Sequence, residues 1–172
     1  QKINEDGDLL WGETGLIFEM EEAVHYCFNF EVVSDGAGSV YLVWLKEEGQ
    51  NAIKALYVNA DGEIPANWDS SGIYLFSGVS FPHTLSVVPD GFGGIIAAGR
   101  FSTGAIHLQR CDSQANLHWG TAGITMSGLE ADYKMSLLPW DAGEYAIIVE
   151  QNDGFRANTF DYSGNFSFSE MQ

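Results

Sequence analysis

Three landmarks recur along the chain with one period, and that recurrence limits what it can fold into more than any single residue does. Gly7-Asp8-Leu9-Leu10-Trp11-Gly12, with Gly15 three residues on, is the first copy of a turn-and-strand unit. Gly62-Glu63-Ile64-Pro65-Ala66-Asn67-Trp68 followed by Gly72 is the second, with two extra residues before the Trp. Ala115-Asn116-Leu117-His118-Trp119-Gly120 with Gly123 is the third, and Gly164-Asn165-Phe166-Ser167-Phe168 begins a fourth. The tryptophans stand 57 and 51 residues apart.

A second series keeps the same step. Asp35-Gly36-Ala37-Gly38 returns as Asp90-Gly91-Phe92-Gly93 and as Asp141-Ala142-Gly143. Apolar runs precede it (Phe30–Val33, Leu85–Val88, Met135–Leu138) and follow it (Val40–Trp44, Ile95–Ala98, Tyr145–Val149). The third series is an alternating stretch ahead of each Gly-Trp unit: Ile53–Val58, Ile106–Arg110 and Ala157–Tyr162. These runs are short, rich in Val, Ile, Tyr and Phe, and bounded by Asp-Gly or Asn/Asp-x-x-Gly turns, so they read as strands. The acidic Phe18–Val24 stretch is the sole helical candidate.

Each repeat therefore reads as four antiparallel strands: before Asp-Gly, after it, into the Asn/Asp-x-x-Gly turn, and the strand carrying the Trp. About 50 residues and four strands per unit match the blade of a β-propeller. An immunoglobulin-like sandwich does not repeat its own landmarks at this interval. The expectation is an all-β propeller segment of about three and a half blades. Residues 1–15 supply the last two strands of one blade, and 24–72, 79–123 and 131–171 are whole blades. Closed propellers have about four to eight blades, so this count leaves open sheet edges, which invite pairing. The expected partners are the remaining blades of a longer parent chain, or further copies of this one.

Composition narrows the function. The chain has 172 residues, 24 Asp+Glu and 7 Lys+Arg, for a formal charge of −17. Phosphate neutralisation needs a basic patch, so nucleic acid is excluded as a partner; attraction to anionic lipid fails on the same ground. No apolar run approaches the roughly 18–20 residues of a membrane-spanning helix, so no membrane insertion is expected. With 45% apolar and 13% aromatic residues the chain can bury a core. Cys27 and Cys111 have neither disulfide-scaffold nor metal-ligand spacing. They read as buried free thiols, which leaves redox state and compartment open. The start, Gln1-Lys2-Ile3-Asn4, is read as a processed or excised end.

The units Ile3–Trp11 and Arg110–Trp119 resemble the outer half of PQQ-like propeller blades. Tyr41-Leu42-Val43-Trp44, then Ala52–Gly62, then Trp68 and Gly72, is similar to repeats of bacterial secreted or cell-surface propellers. Those blades read roughly Val-Trp-x-Asp, Ile-Tyr-x-Gln-x-x-Asp-x-x-Gly and Trp-x-x-x-Gly. The resemblance spans nearly the whole chain and concerns blade structure. It departs where Lys46 and Glu48 follow the second-strand Trp, and where Gly99 and Val149 replace Trp44 in later copies. It implies a secreted or surface location and a binding or adhesive role.

Candidate chemistry is sparse. Trp11, Trp68 and Trp119 could be sugar platforms, but their regular spacing favours plugs between adjacent blades. The Asp-Gly turns lack the EF-hand pattern, and hairpin chemistry accounts for them without a metal. Gly91-Phe92-Gly93-Gly94 opens no helix and is no phosphate loop. His25, His83, His107 and His118 have no ligand spacing, there is no Gly-x-Ser-x-Gly elbow, and Glu19-Met20-Glu21-Glu22 reads as solvated surface. No metal or cofactor is expected. Alignment of the blades places Phe28, His83 and Tyr133 at one early position of the innermost strand. They are the candidate ligand contacts at the channel mouth, with Trp44, Arg100 and the Glu47-Glu48 loop nearby; ordinary rim packing is the competing reading. The expected function is a non-catalytic scaffold for a carbohydrate or protein ligand. The alternatives are a propeller hydrolase or lyase fragment using loop carboxylates, and a purely structural repeat.

Overall fold

A computed structural model describes residues 1–18, 29–46, 51–77, 82–101, 104–126, 134–151 and 153–167. These form three antiparallel sheets, and no helix occurs among the described residues. The first sheet runs β1 (Phe30–Ser34), β2 (Val40–Lys46), β3 (Ala52–Val58), β4 (Ile73–Ser77). The second runs β5 (Pro82–Pro89), β6 (Ile95–Phe101), β7 (Ile106–Cys111), β8 (Ile124–Met126). The third has β9 (Met135–Asp141), β10 (Glu144–Gln151) and β11 (Gly154–Asp161). Each strand pairs with its neighbour in sequence, so every sheet is a simple meander. No helix is long and apolar enough to cross a membrane among the described residues.

The Trp units are placed differently from the sequence expectation. Trp68 and Trp119 lie in the turns before the fourth strands, which begin five residues later at Ile73 and Ile124. Gly72 and Gly123 hold positive φ between Trp and strand, which turns the chain back onto the sheet. The helical candidate at Phe18–Val24 falls outside the described residues except for Phe18, and so does Cys27. Cys111 is a buried free thiol, as its apolar strand suggested; burial pushes it up to about 12, with the Asp112 and Asp90 charges adding.

The second sheet is sandwiched between the other two. In β6, Ile95 and Ala97 join the core shared with the first sheet, while Ile96 and Ala98 join the core shared with the third. All seven residues of β6 are buried, which explains an unbroken apolar run where a half-exposed strand would alternate. Close approach is made possible at Gly99, where any Cβ would strike Ile53 Cδ1 of the first sheet.

A five-residue turn is repeated four times. Asn59 Oδ1 accepts the N–H groups of Asp61 (3.0 Å) and Glu63 (2.8 Å), the Asn59 N–H donates to Glu63 O (2.9 Å), and Asn59 O accepts the Gly62 N–H (3.0 Å), a last bond that the turns at Asp35 and Asp90 do not share. Asn4, Asp112 and Asp161 organise the same bonds at their own turns. Such side-chain acceptors satisfy turn donors that the strands leave unpaired. Gln1 and Gln109 also match: each accepts the backbone N–H of the following Trp, Trp11 at 3.0 Å and Trp119 at 3.2 Å. Residues 1–18 thus share the turn and the glutamine contact of the later repeats, and lie against the first sheet around a cavity of about 300 Å³ lined by Lys2, Trp11, Val32, Leu42 and Val58.

Candidate functional site at the joint between the second and third sheets

Two of the three joints between neighbouring repeats share one contact. The Trp68 indole N–H donates to Ser113 O (2.9 Å), at the second residue of the next repeat's turn, and Trp119 donates to the equivalent Tyr162 O (3.3 Å). Trp11 lies over Gly62 of the next turn, but Lys2 Nζ donates to the equivalent carbonyl, Ala60 O (3.1 Å), and the buried Trp11 N–H has no partner among the described residues. Thus the three tryptophans lie between repeats.

At the joint between the second and third sheets this scheme acquires a concave surface. The hairpins β5–β6 and β9–β10 and the turn after β11 enclose a groove of about 610 Å³, walled by Pro89, Phe92, Pro139, Asp141, Tyr145 and Tyr162. One of its lining residues, Asp90, belongs to an ion pair largely withdrawn from solvent. Asp90, only 1% exposed, accepts from the Phe92 N–H (2.8 Å) and the Gly94 N–H (2.7 Å) through Oδ1, and from Arg110 Nε (2.8 Å) through Oδ2. Its backbone carbonyl accepts the Tyr145 hydroxyl at 2.5 Å. A buried carboxylate persists when hydrogen bonds and an opposite charge answer it, and here three donors do so. Burial raises the Tyr145 hydroxyl, with the Asp90 charge adding and the Arg110 charge opposing, so it remains a neutral donor.

The Arg110 guanidinium lies 5.6 Å from the Phe92 ring centroid and 5.7 Å from that of Tyr162, a cation–π arrangement on both. The rings themselves are 6.0 Å apart and inclined at 57°. Phe92 is nevertheless 67% exposed and Tyr162 50% exposed, so each ring keeps surface for a further contact. Asp141, on the rim, is exposed, and among the described residues its carboxylate bonds only the adjacent Ala142 N–H (2.7 Å). The same repeat position in the first sheet is Tyr57, whose hydroxyl reaches Asp35 Oδ2 (3.3 Å). Substitution of a cation for that tyrosine makes this joint different in kind.

Of the sequence-derived candidates for ligand contact, only Trp44 and Arg100 have described side chains. Phe28, Tyr133, Glu47 and Glu48 fall outside the described residues, and His83 is described only as part of the β5 backbone. Trp44 and Arg100 are both in the interior, 5% and 1% exposed. Trp44 sits against Gly72 and 6.0 Å from Lys54 Nζ, while Arg100 pairs in register with Thr84 and Ile106. Asp90, Arg110 and Tyr162 were missed because they are far apart in sequence and meet only through hairpin pairing and sheet stacking. Phe92, exposed within a glycine-rich turn, was the one local signal. Among the described residues no group of three His, Cys, Asp or Glu side chains is placed to hold a metal ion.

No protein-family model matches the sequence, and no curated protein does. Among solved structures the chain is similar to the crystal structure of an uncharacterized protein, lmo1340, from Listeria monocytogenes EGD-e, with a TM-score of 0.50 at 11% identity over 88% of this chain. The match spans 42% of the length of that chain. At such identity the likeness concerns the fold alone.

Proposed function

We propose that the chain is a segment of a β-propeller-like repeat protein, secreted or displayed on a bacterial surface, that acts as a non-catalytic binding scaffold. Support for the repeat reading comes from the meandering sheets, the fourfold turn and the Trp contact passed from one repeat to the next. The observation that carries the binding role is the groove over the Asp90–Arg110 pair. It is concave, largely aromatic and apolar, and built on short loops anchored to packed sheets, the usual character of a ligand site. Its buried carboxylate is committed to Arg110 and to backbone N–H groups, which suits recognition better than proton transfer. Partners beyond the ligand are further repeats of the same kind, from a longer chain or from a second copy.

A fragment screen followed by backbone NMR tests the role. Compounds should shift the resonances of Phe92, Ala142 and Tyr162 together, in a saturable way, and Phe92→Ala should abolish the shifts. Absence of any fragment at the groove would overturn the binding role; turnover of a polysaccharide or aryl glycoside, lost on changing one loop carboxylate, would replace it with the enzyme.

A further inference from the structure

Electrostatics and shape together narrow what the groove takes, given that it is a binding site as proposed above. Its walls already hold one guanidinium: Arg110 is stacked against Phe92 and Tyr162. That cation is answered locally by the buried Asp90, at 2.8 Å, so it leaves no net positive charge to attract an anion. The remaining charge on the wall is the exposed Asp141 carboxylate, which has no basic partner among the described residues. Around the site the whole chain carries −17. An anionic ligand would face Asp141 and that field at once, whereas a cation gains from both.

We infer that the groove binds an extended basic peptide segment of a partner protein, with one Arg or Lys side chain packing onto the exposed surface of Phe92 and Tyr162 and its charge directed at Asp141. Aromatic faces backed by a carboxylate are a general way to hold such a cation. About 610 Å³ is far more room than one cationic head needs, and Pro89 and Pro139 on the walls offer apolar surface to the residues on either side. Arg110 is the internal precedent, since the same two rings stack on it.

The experiment is a calorimetric and NMR titration of the whole chain with N-acetyl-(Gly-Arg-Pro)3-amide. Its controls are the same peptide with citrulline for arginine, the same peptide with glutamate, and tetramethylammonium chloride. The arginine peptide should saturate, weaken as salt rises, and shift Phe92, Ala142 and Tyr162. Phe92→Ala should weaken it about fivefold, and Asp141→Asn about threefold, while Glu13→Gln, the same charge change at a distant exposed position, should leave it unchanged. Both test positions are exposed; Phe92→Ala keeps its backbone N–H on Asp90 and removes only the ring over Arg110, so the fold should persist, which an unchanged urea midpoint checks. Equal binding of the citrulline peptide, tighter binding of the glutamate peptide, or equal losses from Glu13→Gln and Asp141→Asn would each overturn the assignment. Saturation by tetramethylammonium alone, with no added affinity from the peptide, would reject the peptide. Any such result that still maps to the groove leaves the scaffold reading standing; failure of the fragment screen would remove both.

Discussion

Ala115 holds φ at 64°, a left-handed conformation that a Cβ disfavours by about 1–2 kcal/mol. The three other copies of its turn place Gly7, Gly62 and Gly164 there. Ala115→Gly should therefore stabilise the fold by about 0.5–1 kcal/mol in urea unfolding, the strain relief being offset by a looser unfolded chain and a lost methyl contact. Gly123 is the opposite case. Its φ is also positive, and a Cβ would meet the backbone carbonyl of Leu108 and the Phe76 ring. Because a backbone atom cannot swing aside as a side chain does, Gly123→Ala should cost about 2–3 kcal/mol, read as a lower urea midpoint. Equal effects at the two sites would contradict this account of both.

At the scale of elements, the turns and the tryptophans are what hold one unit to the next. Asp161 sits below the usual carboxylate range because the Asn165 side chain and the backbone N–H groups of Asn165, Ser163 and Gly164 bond its charged form, against a small opposing effect of burial. Burial is the largest influence on Asp112 and raises it, but the bonds from Asn116, His118 and Gln114 together outweigh that and lower it. A carboxyl lowered in the folded state stabilises fully above its unfolded value of about 3.9, and that stabilisation is lost as pH falls through the folded value. Acid unfolding should therefore steepen below about pH 4, and Asp112→Asn should flatten part of it while preserving the turn, since Asn4 and Asn59 organise the same geometry. A pH profile identical to wild type would refute the assignment. For the contact between units, Trp68→Phe should cost about 1–3 kcal/mol by losing the bond to Ser113 O and part of the packing.

Local chemistry made most of these elements legible. The first three strands of each repeat and the Asn/Asp-headed turns follow from short apolar or alternating runs, such as Phe30–Val33 and Ala157–Tyr162, and turn residues within a few positions of one another. The fourth strand was placed too early because Trp68 is apolar and buried, which mimics a strand residue, while the true strand waits for the reversal at Gly72. Trp44 and Arg100 were chosen for chemistry that suits a ligand site, and stacking buries both. Burial between sheets is set by residues about 50 positions away, as Ile53 and Gly99 illustrate, and no local pattern reports it.

For the whole molecule, burial is lent from one sheet to the next. The middle sheet is covered on both faces, whereas the outer face of the third sheet carries Leu138, Ile148 and the 70% exposed Phe155, by alternation from the residues that face inward. The self-association proposed above should use such a face. Sedimentation should then show a mass that rises with concentration, and Phe155→Asp should return it toward the single chain without lowering the unfolding midpoint by more than about 0.5 kcal/mol. A mass of one chain at every concentration would sink the proposal.

The tryptophan contact also has a direction. Trp68 reaches forward to the turn around Ser113, and Trp119 forward to the turn around Tyr162; the turn that receives a tryptophan is not the surface that offers one. A joint of this kind has a giver and a taker, so two units cannot satisfy it by facing each other as mirror-like halves. Units added by the same rule climb like steps of a stair, and such a stair has two natural outcomes: it returns to its first step and closes, or it continues as a filament.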